Sequence, residues 1–254
     1  MKLRRVSAAR LVAVAFALAT VVFLAGCGAL GGDQNTFAPS GEVADKQRDL
    51  FILVTIPATI ILILVSGALL YIVIRYRRRS DDAMPKQVHG NNRLEVAWTV
   101  APVLLLAGLA VPTVAGVVDL GRAPSEDALH VRVVAFRFGW QFQYLDPEFA
   151  DAEGEPLKAD ELHIPVDREI GVELEAQDVI HSFWVPKLAG KLDVMPGRTN
   201  RMWFNATEPG TYSGQCAELC GIGHAGMRFD VVAETEEEFE AWAEEQMGPS
   251  AARE

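Results

Sequence analysis

The chain has 254 residues, 50% of them hydrophobic, and carries 34 acidic against 23 basic side chains, for a formal net charge of −11. The apolar content excludes a disordered chain, and three Cys are too few for a disulfide scaffold. The acidic balance argues against a nucleic-acid-binding surface. Because the chain is both acidic and apolar on average, the two properties must be separated along its length, which predicts a membrane protein with an acidic soluble part.

The first 26 residues are typical of a signal peptide. They contain four basic residues and no acidic one, and an apolar run over 11–23 is followed by Leu24-Ala25-Gly26-Cys27. This ending resembles a bacterial lipobox, in which the signal peptide is cut before the Cys and the thiol is lipidated. Cys27 is therefore the predicted mature N-terminus and lipid anchor, and residues 27–49 are the predicted tether. The alternative is an ordinary membrane helix with a chance Cys.

Two longer apolar segments, over about 50–74 and 96–118, contain no charged side chain. Each exceeds the roughly 20 residues that cross a bilayer, so residues 50–118 are predicted to form a two-helix transmembrane hairpin. The connecting loop, about 75–95, carries six basic residues against three acidic ones, an excess that marks the cytoplasmic side. Both chain ends are then expected on the extracytoplasmic side of a bacterial cell membrane, in agreement with a lipidated N-terminus.

Residues 119–254 form the predicted extracytoplasmic domain, with 27 acidic and 11 basic residues and thus a net charge of −16. Four short segments have the alternating or β-rich pattern of strands: 129–133, 170–174, 202–205 and 227–232. Short strands separated by Pro, Gly and Asp turns predict an all-β sandwich or barrel. The acidic stretch over 146–160 is predicted to be an exposed loop. The segment over 236–247, with Phe239 and Trp242 three apart, is predicted to be a C-terminal helix.

The candidate site lies in the glycine-rich segment Cys216-Ala217-Glu218-Leu219-Cys220-Gly221-Ile222-Gly223-His224-Ala225-Gly226-Met227. Two thiols, an imidazole and a thioether lie within twelve residues, and the glycines let the backbone fold tightly around something small. Thiolates and thioethers are soft ligands, which favour copper over calcium and magnesium. A second imidazole is available at His181. Asp178 is a candidate to orient that ring, although it could equally be one of many surface acids.

Other uses of these residues remain open at this stage. A disulfide between Cys216 and Cys220 suits an oxidising compartment, and a structural zinc site could use both thiols with His181 and His224. Neither explains Met227, because zinc rarely binds a thioether. A mononuclear blue-copper site would leave the second Cys unused. Two Cys, two His and a Met suit two copper ions bridged by both sulfurs.

From about residue 50 to the C-terminal helix, the chain resembles subunit II of the haem-copper cytochrome c oxidases. The strongest part is Gly214-Gln215-Cys216-Ala217-Glu218-Leu219-Cys220-Gly221, followed by His224 and Met227. Two upstream motifs support it, Asp178-Val179-Ile180-His181-Ser182 and Lys191-Leu192-Asp193-Val194-Met195-Pro196-Gly197-Arg198. The resemblance implies a cupredoxin-like Greek-key domain, as a barrel or sandwich, for the soluble part.

In that family the Cys-x3-Cys-x3-His-x2-Met spacing holds the binuclear copper A centre. The implied ligands are two bridging thiolates, one imidazole for each copper and two weaker donors: Cys216, Cys220, His181, His224, Met227 and the backbone carbonyl of Glu218. The side chain of Glu218 would also reach a magnesium or manganese ion at the boundary with subunit I.

The resemblance implies an electron-entry subunit of a respiratory terminal oxidase, an oxidoreductase and translocase. The subunit takes electrons from cytochrome c and passes them to haem in subunit I, where oxygen reduction is coupled to proton translocation. The implied partners are subunit I, subunit III, cytochrome c and the lipid bilayer, with no nucleic acid. No Ser-His-Asp set or phosphate loop is present, so we expect electron transfer without catalytic residues in this chain. The absence of a Cys-x-x-Cys-His motif predicts no fused cytochrome c domain.

Alternatives to that function are open. One is the copper A subunit of another haem-copper enzyme, such as a nitric oxide reductase. Another is a copper-delivery or zinc-structural lipoprotein. Quinol oxidases of the family are disfavoured because they lack the copper ligands.

Three further residues are singled out by the resemblance. Glu95, in Leu94-Glu95-Val96-Ala97-Trp98-Thr99, corresponds to a Glu at the entrance of a proton pathway into subunit I, although position alone is compatible with a charge at a helix end. Relatives commonly have Trp at the electron-entry position where this chain has Phe138, so Trp140 is a second candidate. Aromatics at alternate strand positions are, however, more often core residues.

Overall fold

The structure is a computed structural model that describes residues 16, 20, 32–77, 87, 90–151 and 153–248. Cys27 lies outside these residues, as do most of the predicted signal peptide and most of the predicted cytoplasmic loop. The signal peptide and the lipid anchor therefore stay predictions.

Two long apolar helices follow the N-terminal segment and confirm the predicted hairpin. Helix α1 is Glu42–Arg75 and helix α2 is Asn92–Leu120. Their 34 and 29 residues correspond to lengths of about 50 Å and 44 Å, against a hydrocarbon core about 30 Å thick. Both are long and apolar enough to cross a membrane, and their apolar side chains are mostly exposed, as expected for surfaces that face lipid. Lys46 near the start of α1 pairs with Asp119 near the end of α2 at 2.6 Å, so the helices run antiparallel.

Helix α1 begins at Glu42, eight residues before the apolar run, so residues 42–49 are helical although they were predicted as part of the tether. Both local charges and a tertiary hydrogen bond stabilise this earlier start of the helix. Glu42 and Asp45 place negative charge at the helix N-terminus, where the helix dipole favours it. The backbone N–H of Glu42 donates to the side-chain oxygen of Asn205, far along the sequence, at 2.9 Å.

The soluble domain is a β-sandwich of two five-stranded sheets. Its ten strands are β1 (Leu129–Phe136), β2 (Gly139–Tyr144), β3 (Leu157–Ala159), β4 (Leu162–Pro165), β5 (Ile170–Ala176), β6 (His181–Trp184), β7 (Leu192–Val194), β8 (Asn200–Phe204), β9 (Gly210–Cys216) and β10 (Arg228–Glu234). One sheet has the order β3-β2-β1-β5-β8 and the other β4-β10-β9-β6-β7. The β1–β5 and β4–β10 pairs are parallel and the remaining pairs are antiparallel.

The core lies between the two sheets and is rich in aromatic side chains. Alternating positions of β2, for example, are buried and half-buried, which is the period of a strand with one face inward. Phe183 and Phe229 stack with ring centroids 4.9 Å apart near the end of the sandwich that carries β6 and β9. This packing fixes the strands whose ends carry the candidate site.

The C-terminal helix α3, Glu236–Met247, has the bounds expected from the sequence. A capping box starts it: Thr235 accepts a hydrogen bond from Glu238 N, and Glu238 accepts one from Thr235 N. The prediction of an exposed loop over 146–160 is wrong in part. Phe149 is buried against Phe239 of α3, and β3 pairs with β2 within the same stretch.

Candidate metal site

The candidate site lies where β6, β9 and β10 meet. His181 begins β6, Cys216 ends β9, and Met227 immediately precedes β10. The backbone N–H of Cys216 donates to the carbonyl of Met227 at 3.0 Å, which closes the loop between β9 and β10. The N–H of Ala217 donates to the carbonyl of Ser182 at 2.9 Å, which ties this loop to β6. Residues distant in sequence are thus brought together by sheet pairing.

The two thiols form a close, buried pair. Cys216 Sγ lies 3.9 Å from Cys220 Sγ, and both residues are 5% exposed. A disulfide requires about 2.05 Å between the sulfurs, and both cysteines are free. The disulfide alternative is therefore wrong for this structure. Two thiols at this separation can both contact one small ion or a pair of ions.

Both imidazoles present the same ring nitrogen to this sulfur pair. His181 Nδ1 lies 3.9 Å from Cys216 Sγ, and His224 Nδ1 lies 3.8 Å from Cys220 Sγ. The ligand atoms of His181, Cys216 and Cys220 all lie within 4.8 Å of one another, which is a spacing that could hold a metal ion.

Two weaker donors complete the cluster. Met227 Sδ lies 3.7 Å from Cys220 Sγ, and Met227 is 1% exposed. The carbonyl oxygen of Glu218 lies 3.2 Å from Cys216 Sγ. The six residues singled out from the sequence therefore converge on one place. Their donors are thiol, imidazole, thioether and carbonyl, a set that fits copper better than zinc, because zinc rarely binds a thioether.

A bound cation would stabilise the ionised form of the thiol pair. Burial, and after it the neighbouring Cys216, raises the pKa of the Cys220 thiol. Ionising both thiols at this distance without a positive charge is unfavourable, because each thiolate loses hydration and repels the other. Bound metal ions remove this cost, since a coordinating thiol is deprotonated outright.

Asp178, a candidate from the sequence, contacts His181 in a geometry that can orient its ring. Its Oδ1 lies 2.9 Å from His181 Nε2, the ring nitrogen opposite the sulfurs. Arg137 donates to the same carboxylate from its backbone N at 2.9 Å and from Nε at 3.1 Å. Burial opposes the ionisation of Asp178, but the hydrogen bonds from His181, Val179 and Arg137 outweigh it and hold its pKa well below the usual range. The contact of Arg137 with Asp178 was not predicted from the sequence, because no local motif indicates it.

The aromatic residues near the site lie at two depths. Trp140 is 5% exposed, with its ring centroid 6.2 Å from that of His181, so it is a core residue against the site. Phe138 is 40% exposed and its ring lies on the loop glycines. A Cβ added to Gly223 would lie 2.5 Å from that ring, and one added to Gly221 would lie 3.1 Å away. Phe138 therefore covers one side of the site.

A cleft of about 870 Å³ opens on another side of the same loop. Its walls include Cys216, His224 and Met227 from the site, and Phe37 and Phe51 from the N-terminal segment and α1. The site therefore has one side under Phe138 and another facing the end of the hairpin that adjoins the β domain. Glu95 is not brought to the site, because it lies in the first turn of α2, at the opposite end of the hairpin.

A two-helix hairpin joined to a β-sandwich with a buried cluster of soft donors defines a membrane protein with a candidate soft-metal site. The family model for the transmembrane domain of cytochrome c oxidase subunit II matches residues 34–115, and that for its periplasmic domain matches residues 132–235. The chain belongs to the cytochrome c oxidase subunit II family.

Individual relatives agree with this placement. The chain is 42% identical to a cytochrome c oxidase subunit 2 of Alkalihalophilus pseudofirmus over 88% of its own length and 65% of the relative's, so it spans less than two thirds of that protein. A cytochrome c oxidase subunit 2 of Synechocystis is 34% identical over 83% of this chain and 76% of that one. A quinol oxidase subunit 2 of Bacillus subtilis is 36% identical over 89% and 70%.

Among solved structures, the periplasmic domain of subunit II of the Bradyrhizobium japonicum cytochrome oxidase aligns with 30% identity. The alignment covers 48% of this chain and 95% of that one, with a TM-score of 0.42.

Proposed function

We propose that this chain is the electron-entry subunit of a respiratory terminal oxidase, which accepts single electrons from cytochrome c at a binuclear copper A site and passes them to haem in subunit I. The observation that carries the proposal is the symmetry of the donors. Each of the two sulfurs, Cys216 Sγ and Cys220 Sγ, has its own imidazole Nδ1 within 4 Å, at 3.9 Å for His181 and 3.8 Å for His224. Two metal ions that share two sulfurs need one imidazole each.

Cys216, Cys220, His181, His224 and Met227 would hold the copper pair, which would take up and release one electron at a time. The protein supplies a rigid frame for it, because the loop is closed by the bond between Cys216 N and Met227 O and tied to β6 by the bond between Ala217 N and Ser182 O. Asp178 keeps the His181 ring in one orientation. His181, Cys216, Cys220 and Met227 are buried, which limits the access of water to these donors. A frame that does not rearrange suits electron transfer, since little reorganisation accompanies a change of charge.

The two sides of the site suit different partners. Phe138 is exposed on the outer side, with Trp140 buried against His181, so the incoming electron is proposed to arrive there. The cleft beside His224 and Met227 faces the outer end of the hairpin, where a membrane-embedded subunit I would lie. Glu218, whose carbonyl is beside Cys216, would share its carboxylate with a magnesium or manganese ion at that boundary.

The charge of the soluble domain favours a cationic donor. Residues 119–254 carry a net charge of −16, and a basic cytochrome c would be drawn to such a surface. Because one relative is named as a quinol oxidase subunit, the identity of the electron donor, cytochrome c or a quinol, is tested below. The complete set of copper-type donors favours cytochrome c as the electron donor, because the quinol oxidases of the family lack the copper ligands.

The proposed topology follows from the hairpin. Both chain ends lie on the extracytoplasmic side of a bacterial cell membrane, and Glu95 lies at the cytoplasmic end of α2, at the mouth of a proton pathway into subunit I. Cys27 is the proposed lipid anchor. Subunit III is a further proposed partner.

The decisive experiment is oxidation of a reduced donor by the assembled oxidase. Reduced cytochrome c and a quinol are offered separately, and the wild-type complex is compared with one in which both Cys216 and Cys220 are replaced by Ser. We expect the wild type to oxidise cytochrome c at a rate that falls with ionic strength. The double variant should lose this activity. Oxidation of the quinol alone, or an unchanged rate in the variant, would overturn the proposal.

A further inference from the structure

The residue before the N-cap of α1 and the first turn of the helix are docked into the β domain through hydrogen bonds to their backbone. Ser40 N donates to Lys187 O at 2.8 Å, and Ala44 N donates to Leu188 O at 3.2 Å. In return, Thr207 donates to Ser40 O from its backbone N at 2.8 Å and from its hydroxyl at 3.0 Å. The chain that leads into the membrane helix is thus held between the loop after β6 and the loop after β8.

The N-terminus of α1 is capped by the β domain. The N-cap residue, Gly41, has no side chain, and Asn205 Oδ1 accepts from Glu42 N at 2.9 Å instead. Asn is among the residues that cap helices best. Gly41 is also closely enclosed, because a Cβ there would collide with Asn205 O and would lie 2.9 Å from Leu188 O. Both are backbone atoms, so any larger residue at 41 must push the helix away from the domain.

A second contact joins both helices to the end of β8. Lys46 Nζ of α1 lies 5.4 Å from the centroid of the Trp203 ring, and the guanidinium of Arg122, just after α2, lies 3.9 Å from it. Lys46 also pairs with Asp119 of α2 at 2.6 Å, and Arg122 pairs with Glu169 at 2.5 Å. Trp203 therefore contacts the outer ends of both membrane helices.

These contacts lead directly to the candidate metal site. The loop after β6 follows the strand that begins at His181, and it packs against α1 at Gly190, where a Cβ would lie 2.5 Å from the side chain of Gln47. Gly190 and Gln47 line the same cleft as His224 and Met227. The start of α1 is therefore joined to the walls of the site by the backbone bond from Ala44 to Leu188 and by the contact of the Gln47 side chain with Gly190.

We propose that this junction, formed by residues 40–47 with the loops at 185–191 and 205–207, is a positioning element that sets the height and tilt of the metal-binding loop above the membrane. It thereby sets the rate of onward electron transfer. The inference rests on the proposed function. Electron tunnelling slows steeply with distance, so a small displacement of the domain reduces the rate even when the metal site itself is intact.

The test uses the assembled oxidase with three variants of this chain. Asn205→Ala removes the cap, Gly41→Ala forces the junction apart, and Asn205→Asp is the matched control, because its carboxylate can still accept from Glu42 N. Three quantities are measured: hydrogen exchange of the amides of Ser40, Ala44 and Thr207, the electron paramagnetic resonance signal of copper, and the copper-to-haem transfer rate per assembled complex after rapid one-electron reduction.

We expect Asn205→Ala and Gly41→Ala to exchange faster and to transfer electrons severalfold more slowly with an unchanged copper signal, whereas Asn205→Asp stays close to the wild type in all three. A merely structural junction would lower the yield of complex without changing the rate per complex, and that result would overturn the inference. If Gly41→Ala does not assemble, the comparison of Asn205→Ala with Asn205→Asp decides whether the junction sets the transfer rate. A wild-type complex without a two-copper signal would overturn the proposed function instead, so the two failures are distinguishable.

Discussion

Asp178 Oδ1 lies 2.9 Å from His181 Nε2, and the opposite ring nitrogen, His181 Nδ1, lies 3.9 Å from Cys216 Sγ. Because the carboxylate fixes one side of the imidazole, the other side is directed at the sulfur pair. Metal-binding histidines are commonly supported in this way, and the support fixes the tautomer and raises the basicity of the ligand.

Replacing Asp178 by Asn keeps an acceptor near His181 but removes the charge that makes the ring a better ligand. We expect Asp178→Asn to lower copper affinity by roughly 10- to 100-fold, the usual effect of losing such a support. The measurement is copper competition with a chelator of known affinity. Asp160→Asn, at an exposed position away from the site, is the control. Equal affinities for the two variants would show that Asp178 is only a surface acid.

Two loop glycines differ in the space around them. A Cβ at Gly223 would lie 2.5 Å from the ring of Phe138, whereas nothing lies within 4 Å of a Cβ at Gly226. Gly223→Ala should therefore displace Phe138 or the loop and reduce the copper bound per chain, and Gly226→Ala should bind copper as the wild type does. Copper content after gel filtration measures both. Full loading of Gly223→Ala would mean that Phe138 does not constrain the loop.

The ion pair of Glu169 with Arg122 predicts a pH dependence of stability. The hydrogen bond from Arg122 lowers the pKa of Glu169 below 4.5, with burial opposing it. A carboxylate with a lowered pKa stabilises the fold at neutral pH, and this contribution is lost as the pH falls through the folded-state pKa. We expect Glu169→Gln to reduce the free energy of unfolding at pH 7 by on the order of 1 kcal/mol.

Below the usual pKa of Glu169 this difference should shrink toward zero. Denaturant unfolding of the full chain in detergent, followed by tryptophan fluorescence at several pH values, measures it. Glu126→Gln is the control, because Glu126 is exposed. A difference that persists unchanged at low pH would show that the charge of Glu169 is not its cause.

A substitution at Glu95 tests the end of the hairpin that lies away from the β domain. It lies in the first turn of α2, where Asn91 caps the helix, and the metal site lies at the other end. We expect Glu95→Ala to slow turnover and proton uptake of the assembled oxidase while copper loading stays intact. Glu95→Asp, which keeps the carboxylate, should retain most of the activity. Normal proton uptake by Glu95→Ala would remove Glu95 from the pathway.

The sequence predicts most of the site because most of it is local. Cys216, Cys220, His224 and Met227 lie in one twelve-residue loop, so their spacing alone limits what they can bind. His181 is available as a second imidazole from the sequence, but its nearness to the thiols results from pairing of β6 with β9, which puts Phe183 opposite Cys216. Sheet pairing of this kind leaves no signal in the spacing of residues along the chain.

The features that the sequence did not predict depend on contacts between distant segments. Helix α1 begins at Glu42 because Asn205 and the loops of the β domain hold its first turn, and hydropathy registers only the part that lies in lipid. Phe149 is buried because α3 covers it, although the acidic residues around it indicate an exposed loop. Arg137 reaches Asp178 across 41 residues.

The most direct test of the central claim is the electron paramagnetic resonance spectrum of the full chain in detergent, loaded with copper and adjusted to the one-electron-reduced state. We expect two copper ions per chain and a mixed-valence signal in which one unpaired electron is shared by both. Cys216→Ser and Cys220→Ser should each abolish the shared signal. A spectrum of a single isolated copper, or a chain that binds only a colourless and silent ion, would contradict a binuclear copper site.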